Sequence, residues 1–243
     1  MITLKNVDKE YMPGVKAVDG LTLEIRDGEI FGILGPNGAG KTTTISMITG
    51  ISEPTRGEIL INNFDVVKNP VEAKMQFGYV PDSPDMFLRY KGIEYLNFMG
   101  DVYEVSESDR KVRIEELAKR FSMENSLADK IQSYSHGMRQ KIIIMGVLLH
   151  NPKVWILDEP LTGLDPKSSY LLKEMMREHA DAGNTVLFST HVLEVAEKVC
   201  DRVGIIKKGK LIFVGTLEEL REEFKCNDSL EKMFLEITEN EEN

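Results

Sequence analysis

Gly35-Pro36-Asn37-Gly38-Ala39-Gly40-Lys41-Thr42 is the stretch that decides the fold of this chain. It has the spacing GxxxxGK[ST] and follows Ile30–Leu34, an apolar run typical of a strand buried on both faces of a parallel sheet. Glycines let the backbone curl so that successive N–H groups point at phosphate oxygens, above the positive end of the next helix. The stretch therefore predicts a phosphate-binding loop between a strand and a helix, with Ile45, Ile48 and Ile51 facing inward.

The side chains and amides of this loop have predicted tasks in holding a nucleoside triphosphate. Lys41 is expected to reach the β- and γ-phosphates, and Thr42 to offer its hydroxyl to Mg²⁺. The residues predicted to contact the nucleotide here are Gly35, Pro36, Asn37, Gly38, Ala39, Gly40, Lys41, Thr42 and Thr43.

A second apolar run, Val154–Leu157, ends in two carboxylates, Asp158 and Glu159. Phosphate-loop enzymes use this pattern to bring an acid to the metal. We expect Asp158 to hold Mg²⁺ through water, and Glu159 to polarise the attacking water because it lies where the strand leaves the sheet. The alternative is a plain strand end with solvated acids.

The remaining segments predict one large α/β domain with two additions. Thr185–Ser189 is another β-rich run followed by helix-forming sequence, which indicates βαβ units on one parallel sheet. Ile2–Val7 and Leu21–Ile25 alternate apolar and polar residues, as in a small antiparallel sheet. Residues 84–150 are rich in helix formers and contain no convincing strand, so they predict an inserted helical subdomain.

Composition narrows the class of protein. The 30 lysines and arginines against 40 acidic residues give a formal charge of -10, which argues against a nucleic-acid binder. Cys200 and Cys226 are too few for a disulfide framework and fit a reducing compartment. Met1–Asp8 is typical of a strand and not of a signal peptide, and runs such as Ile142–Leu149 are too short to span a bilayer. We therefore expect a cytoplasmic protein, for which any membrane function would require a partner.

Two segments flank the acidic strand in a fixed order. Tyr134-Ser135-His136-Gly137-Met138-Arg139-Gln140 precedes it, and Gly163-Leu164-Asp165-Pro166 follows it. With these segments and the phosphate loop, the chain from about Ile2 to Leu220 resembles the ABC ATPases. The resemblance implies an α/β fold of the P-loop NTPase (RecA-like) type: a parallel sheet core, an N-terminal antiparallel β subdomain and the inserted helical subdomain at about 84–150. It also implies an ATPase domain over residues 1–220, followed by an acidic helical tail over 221–243.

The resemblance assigns roles to residues outside the loop. Ser135 and the Gly137 N–H would contact the γ-phosphate of ATP held by an opposing subunit, and Asp165 would lie at the same interface. His191 resembles a histidine that contacts the γ-phosphate, although such a histidine read alone is more often structural. Tyr11 stands where the family carries an aromatic that stacks on adenine, although a tyrosine at a strand edge is an ordinary surface residue.

The chain departs from the family pattern at two places. Asp82 follows Tyr-Val-Pro where the family usually has a glutamine that contacts Mg²⁺, and a carboxylate there is still a possible metal ligand. Tyr134, His136 and Met138 replace the usual leucine, glycine and glutamine, while the serine and glycine that carry the phosphate contacts are retained.

The function implied by the resemblance is that of an ATP-binding and ATP-hydrolysing subunit that uses ATP with Mg²⁺. Two copies, in a homodimer, would close head to tail on two ATP molecules. The assembly would drive transport, with export favoured by the acidic end Leu220–Thr238, through separately encoded integral membrane subunits at the inner face of the cell membrane. Apolar Met86, Phe87 and Leu88 are expected to receive a cytoplasmic helix of the membrane subunit, unless they belong to the subdomain core.

Two alternatives to a transport ATPase remain open from the sequence. The first is an ABC ATPase with a role in translation or DNA maintenance, although the chain has neither the second nucleotide domain nor the long coiled coil of those types. The second is a regulatory module that binds ATP without significant turnover.

Overall fold

The computed structural model describes residues 1–223; residues 224–243, which hold Cys226 and most of the predicted tail 221–243, lie outside the described residues. The strands are β1 (Ile2–Met12), β2 (Val15–Ile25), β3 (Ile30–Leu34), β4 (Arg56–Ile61), β5 (Phe64–Asp65), β6 (Phe77–Val80), β7 (Val154–Asp158), β8 (Thr185–Ser189), β9 (Arg202–Lys207) and β10 (Lys210–Gly215). The helices are α1 (Lys41–Ile48), α2 (Pro70–Lys74), α3 (Gly92–Val102), α4 (Glu107–Phe121), α5 (His136–Leu148), α6 (Pro166–Asp181), α7 (Leu193–Val199) and α8 (Leu217–Glu223).

The strands form two sheets, and the predicted fold class is confirmed. The larger sheet has the order β10-β9-β3-β8-β7-β6, in which β9, β3, β8, β7 and β6 are parallel and β10 is antiparallel to β9. The smaller sheet, β2-β1-β4-β5, is antiparallel. All residues of β3, β7 and β8 are buried, as expected of central strands covered on both faces. The carboxyl ends of these three strands therefore meet at one edge, where α/β sheets bind ligands.

Helix α1 packs between the two sheets and fixes the end of the phosphate loop. Ile45 and Ile48 are fully buried there, as predicted. The inward placement of Ile51 is wrong, because its side chain is 66% exposed. Helix α1 ends at Ile48, and Gly50, with φ of 68°, turns the chain before Ile51.

Residues 84–150 hold α3, α4, a 3₁₀ turn at Ile131–Ser133 and α5. Within this described segment the β contacts are limited to a single bridge between Lys91 and Lys130. Helix α4 starts at an N-cap, where the Ser106 hydroxyl accepts the N–H of Asp109 at 3.2 Å. Helix α5 is buried along most of its length against the larger sheet, so its amino end is held at a fixed place beside the core.

Helix α8 runs across the predicted division at residue 220. Leu220 is fully buried in a small cluster with Leu34, Val203 and Phe213, so the first turns of this helix pack on the larger sheet. Over residues 1–223, no helix combines the length and apolar character that crossing a membrane requires.

Candidate nucleotide-binding site

The phosphate loop joins β3 to α1, and its shape depends on glycine. Gly40 has φ of 110°, and a Cβ there would lie 2.6 Å from the carbonyl oxygen of Ala17. Such a contact is too short for any real side chain, so glycine lets the loop lie directly against β2. Helix α1 then begins at Lys41 with its first amides directed toward the loop.

Lys41 is folded into its own loop. Its side chain is 7% exposed, and Nζ donates to the carbonyl oxygens of Gly35 at 2.6 Å and Pro36 at 3.2 Å. Burial lowers the pKa of Lys41, while the charges of Glu159 and Asp158 act in the opposite direction. The ammonium group is thus a desolvated cation that gains from anionic oxygens placed beside it.

A cavity of about 360 Å³ lies over the loop and collects predicted residues from four parts of the sequence. Those lining it are Asn37, Gly38, Ala39, Gly40, Lys41, Thr42, Thr43, Asp82, Asp158, Glu159 and His191. Two further lining residues, Ala17 and Thr162, were missed, since neither belongs to a motif that sequence reasoning could use.

Asp158, at the end of β7, has one oxygen satisfied and one not. Asp158 is 2% exposed. Its Oδ1 accepts a hydrogen bond from Ser189 Oγ at 2.5 Å, whereas its Oδ2 is buried without a hydrogen-bond partner. Burial raises the pKa of Asp158, the charges of Asp82 and Glu159 raise it further, and the Ser189 hydrogen bond and Lys41 oppose the rise. An unpaired buried carboxylate oxygen is costly, so a cation at Oδ2 would remove a penalty already present.

The donor set around Asp158 fits Mg²⁺ if the nucleotide supplies oxygens. No three His, Cys, Asp or Glu side chains among residues 1–223 are grouped closely enough to hold a metal ion by themselves. Oxygen ligands are nevertheless gathered in the cavity by Thr42, Asp82 and Asp158. A small hard cation that keeps waters and binds phosphate oxygens suits this arrangement.

Ser189 is a site residue that sequence reasoning missed. Its hydroxyl donates to Asp158 and accepts the backbone N–H of Glu159 at 3.0 Å. Its role follows from the strand register, because Ser189 ends β8 directly opposite Asp158 on β7. The Ser189 hydroxyl therefore holds the Asp158 carboxylate and the Glu159 backbone at the end of the acidic strand.

Glu159 and His191 form a pair across the cavity. Glu159 has φ of 46°, so the backbone turns into the left-handed region where β7 leaves the sheet. Its Oε1 lies 2.9 Å from Nδ1 of the exposed His191. His191, predicted to contact the γ-phosphate, therefore orients the carboxylate of Glu159, predicted to activate the attacking water.

The serine–glycine turn, Ser135 to Gly137, lies at the amino end of α5 and is not among the residues lining the cavity. Ser135 is exposed and caps the helix, since its Oγ accepts the N–H of Met138 at 3.4 Å. A Cβ at Gly137 would lie 2.6 Å from the carbonyl oxygen of Gly163, so the turn packs on the segment after the acidic strand.

Asp165 caps α6 and is held from within the same chain. Its carboxylate accepts from the N–H and hydroxyl of Ser168 at 2.9 and 2.7 Å and pairs with Lys141 Nζ at 2.7 Å. The hydrogen bond from Lys141 holds the pKa of Asp165 well below its usual range. Lys141 lies on α5, so Asp165 ties α6 to the helix that begins with the serine–glycine turn.

Tyr11 and the first two loop residues do not line the cavity. Tyr11 is 60% exposed near the end of β1, with Lys9 Nζ 5.0 Å from the ring centroid. Its stacking on adenine stays a prediction. Gly35 and Pro36 instead provide the carbonyl oxygens that hold Lys41.

A second cavity of about 390 Å³, here named the apolar groove, opens between the core and residues 84–150. The residues lining it are Thr49, Ile51, Lys74, Phe77, Tyr79, Pro81, Met86, Phe87, Tyr95, Met99, Tyr103, Ile143 and Val147. Met86 is exposed, while Phe87 and Leu88 are partly buried against the core. The three apolar residues singled out in the sequence therefore divide between the groove and the core.

Similarity to known proteins covers almost the whole chain. Residues 18–162 match the family model described as ABC transporter. The chain is 38% identical to the ABC transporter ATP-binding protein NatA of Bacillus subtilis (strain 168), over 94% of each protein. It is 34% identical to the Nod factor export ATP-binding protein I of Cupriavidus metallidurans, over 90% of this chain and 72% of that protein.

Two solved structures share the fold over most of their length. One, described as the structure of the ATP-binding subunit of an ABC transporter, has a TM-score of 0.93 at 33% identity and covers 98% of this chain and 99% of that one. The other is the dimeric structure of a post-hydrolysis state of the ATP-binding cassette MJ0796 bound to ADP and Pi. It has a TM-score of 0.80 at 27% identity and covers 89% of this chain and 99% of that one. The family model over residues 18–162, together with relatives and solved structures that match most of the chain, shows that this chain belongs to the ABC transporter ATP-binding proteins.

Proposed function

We propose that this chain binds and hydrolyses ATP with Mg²⁺ and thereby powers a membrane transporter. One observation carries the proposal. The buried Asp158, with its unpartnered Oδ2, lines the same cavity as the desolvated Lys41 and the Thr42 hydroxyl. A triphosphate with its metal ion would place anionic oxygens beside the Lys41 cation and a cation beside the unpaired oxygen of Asp158.

In this proposal the residues of one chain bind the phosphates and prepare the water. Lys41 leaves its loop carbonyls and binds β- and γ-phosphate oxygens. The backbone N–H groups from Gly38 to Thr43 also donate hydrogen bonds to these oxygens. Thr42, Asp82 and Asp158 hold Mg²⁺, which when bound neutralises developing charge on the phosphate oxygens. Glu159 accepts the proton of the attacking water.

His191 keeps the Glu159 carboxylate directed at the water and meets the γ-phosphate with its other ring nitrogen. The 2.9 Å contact between Nδ1 and Oε1 supports this orienting role. Tyr11 would stack on the adenine ring from the end of the first hairpin.

The site is completed by a second copy of the chain, placed head to tail. Ser135 and the Gly137 N–H are exposed or half-buried at the amino end of α5, where a helix favours an anion. Asp165, fixed by Lys141, lies behind the same turn and would communicate between the two sites. The dimeric relative that carries ADP and Pi supports an assembly of this kind.

Concentration dependence tests the shared site. Phosphate release per mole of protein should rise with protein concentration and saturate, because a monomer has half of each site. Glu159→Gln should remove the release at every concentration. Full release per mole at high dilution would contradict the shared site, and release unaffected by Glu159→Gln would contradict the assigned base. ATP binding with no release would favour a regulatory module.

The membrane partner is proposed to insert a cytoplasmic helix into the apolar groove. The groove has an apolar, aromatic lining with Ile51 and Met86 exposed at its edge, which suits a helix that lays an apolar face into it. Transporter names among the relatives, including one for export, support separate membrane subunits and an exporting direction. The chain would then lie in the cytoplasm, on the inner face of the cell membrane.

Charge placed in the groove tests this docking. The double variant Ile51→Glu and Met86→Glu should leave the chain in the soluble fraction of its host cell while ATP affinity stays within about twofold of the parent. Val112→Glu is the matched control, since Val112 is an exposed apolar residue of α4 outside the groove. Retained membrane association of the double variant would rule out the groove as the docking site.

A further inference from the structure

The loop of residues 81–91, between β6 and α3, contacts three parts of the molecule. It supplies Asp82 to the nucleotide cavity, and Met86 and Phe87 to the apolar groove. Between these positions, the carboxylate of Asp85 reaches out to α5. The same short loop therefore lies at the nucleotide cavity, at the groove and beside the helix of the serine–glycine turn.

Arg139 is the residue of α5 that receives this loop. It lies one turn after Ser135, and its backbone N–H donates to the Ser135 carbonyl oxygen at 2.9 Å. Its Nη1 lies 2.6 Å from Asp85 Oδ1, and its Nη2 donates to the Gln132 carbonyl oxygen at 2.9 Å. A guanidinium group holds two acceptors in one plane, which fixes their geometry in a way that a lysine does not.

Backbone hydrogen bonds add a second connection between the groove and the turn. The N–H of Gln132 donates to Leu88 at 3.0 Å, and the N–H of Ile131 donates to Tyr90 at 2.9 Å. Further along, the N–H of Gly92 donates to Asp129 at 3.1 Å. The loop that carries Met86 and Phe87 is therefore joined, just after these groove residues, to the segment that ends immediately before Ser135.

Phe87 makes the groove side of this connection stiff. Its ring lies 5.0 Å from that of Tyr95 and 5.8 Å from that of Phe98, measured between centroids. Close-packed aromatic rings pass on displacement instead of absorbing it. A group that moves Phe87 would therefore move the loop, and with it Asp85.

We propose that Asp85 and Arg139 form a positioning pair that couples the apolar groove to the serine–glycine turn. This inference rests on the proposed function, in which the turn binds ATP held by a second copy. Coupling between two sites is reciprocal, so engagement of the turn by ATP must also change the groove. An exposed ion pair without this role would contribute little beyond a small change in stability.

Amide hydrogen exchange tests the coupling with ATP as the only ligand. The parent is the Glu159→Gln chain, in which ATP is expected to hold two copies together. On ATP addition, exchange of the amides in residues 86–93 should slow by about tenfold in the parent. With Asp85→Asn added, the slowing should fall below about twofold at ATP concentrations where both proteins are dimers.

Two further variants separate coupling from simple stability. Arg139→Lys keeps the charge and loses the planar fork, so it should behave like Asp85→Asn. Asp101→Asn breaks the 2.7 Å pair with Arg110, another ion pair between parts of the same subdomain, and should leave the slowing unchanged. If Asp85→Asn prevents dimerisation while Asp101→Asn does not, and both monomers bind ATP equally, the positioning role is also supported.

The outcomes against the proposal are distinct. A dimer of the Asp85→Asn protein in which residues 86–93 are protected as in the parent would overturn the positioning pair and leave the shared site intact. A parent that stays monomeric with ATP would overturn the shared site itself. Equal loss of protection in Asp85→Asn and Asp101→Asn would mean that the Asp85–Arg139 pair only stabilises the fold and does not couple the two sites.

Discussion

The phosphate-loop cavity and the serine–glycine turn are two halves of one expected site, and they are built differently. In the cavity, Lys41 and Asp158 are almost completely buried and are surrounded by groups of the same chain. At the turn, Ser135 is exposed, and its hydroxyl is bonded to a neighbouring amide of its own helix. The cavity is enclosed by groups of one chain, whereas the serine–glycine turn lies exposed at the amino end of the packed helix α5.

Under the proposed function, this difference predicts that nucleotide binding and turnover depend on different surfaces. In the proposed function the cavity binds phosphates within one chain, because its buried cation and the residue with the unpaired carboxylate oxygen line the same cavity. In the proposed assembly the turn contributes when a second copy brings it to the γ-phosphate. Changes in the cavity should therefore affect affinity and chemistry, while changes at the turn should affect association and chemistry and leave the affinity of the monomer intact.

The largest expected effect comes from Lys41→Ala. Removal of the buried cation takes away the charge that binds the β- and γ-phosphates, and the rate of ATP hydrolysis should fall at least about 100-fold. Phosphate release at saturating protein concentration measures it. Lys111→Ala, at an exposed position of α4, is the control and should leave the rate unchanged. Near-normal turnover by Lys41→Ala would show that the loop is not the phosphate site.

Glu159→Gln should separate the chemistry in the cavity from the association of two copies through the turn. Loss of the base lowers hydrolysis by about 100-fold or more, and uncleaved ATP should then hold two copies together. Light scattering should show a dimer with ATP and a monomer with ADP. A Glu159→Gln chain that stays monomeric with ATP would count against the turn as the second half of the site.

Ser135→Arg in the Glu159→Gln chain is the sharper version of this experiment. The large side chain blocks the exposed turn, so the dimer should disappear, while the ATP dissociation constant of the monomer should stay within about twofold. A weakened ATP affinity in the monomer would mean that the turn belongs to the same half as the loop.

Sequence patterns predicted the cavity well because its residues are local to strand ends. Gly40 and Lys41 belong to a motif whose spacing follows from backbone geometry, and Asp158 follows an apolar strand that is recognisable by itself. The parallel order of β3, β7 and β8 then brings these residues together at one edge of the sheet.

Contacts that depend on packing between distant segments could not be predicted in this way. Ser189 was missed because its role comes from strand register, and Ile51 was placed inward because the helical period was continued past the end of α1. The strands β4, β5, β6, β9 and β10 were missed as well, since each is defined by its neighbours in a sheet. The link between Asp85 and Arg139, 54 positions apart, has no sequence signature.

Asp82→Asn should give an intermediate effect that tests the metal end of the cavity. If the Asp82 carboxylate is a ligand, its neutralisation should raise the Mg²⁺ concentration for half-maximal hydrolysis by about tenfold, the size of one charged contact. Asp101→Asn, an exposed acid of α3 away from the cavity, is the control. An unchanged Mg²⁺ dependence would remove Asp82 from the proposed ligands.

Tyr11→Ala should give the smallest effect. It tests whether the part of the nucleotide site formed by one chain extends to the adenine. Stacking of an aromatic ring contributes about 1 kcal/mol, so the dissociation constant of ATP should rise about fivefold while the maximal rate of hydrolysis stays unchanged. Tyr11→Phe keeps the ring and should bind ATP like the parent. The ring is exposed beside Lys9, so an ordinary surface residue is the competing reading, and equal affinity of both variants would establish it. In that case the part of the site enclosed within one chain would end at the phosphates, and the adenine would be held elsewhere.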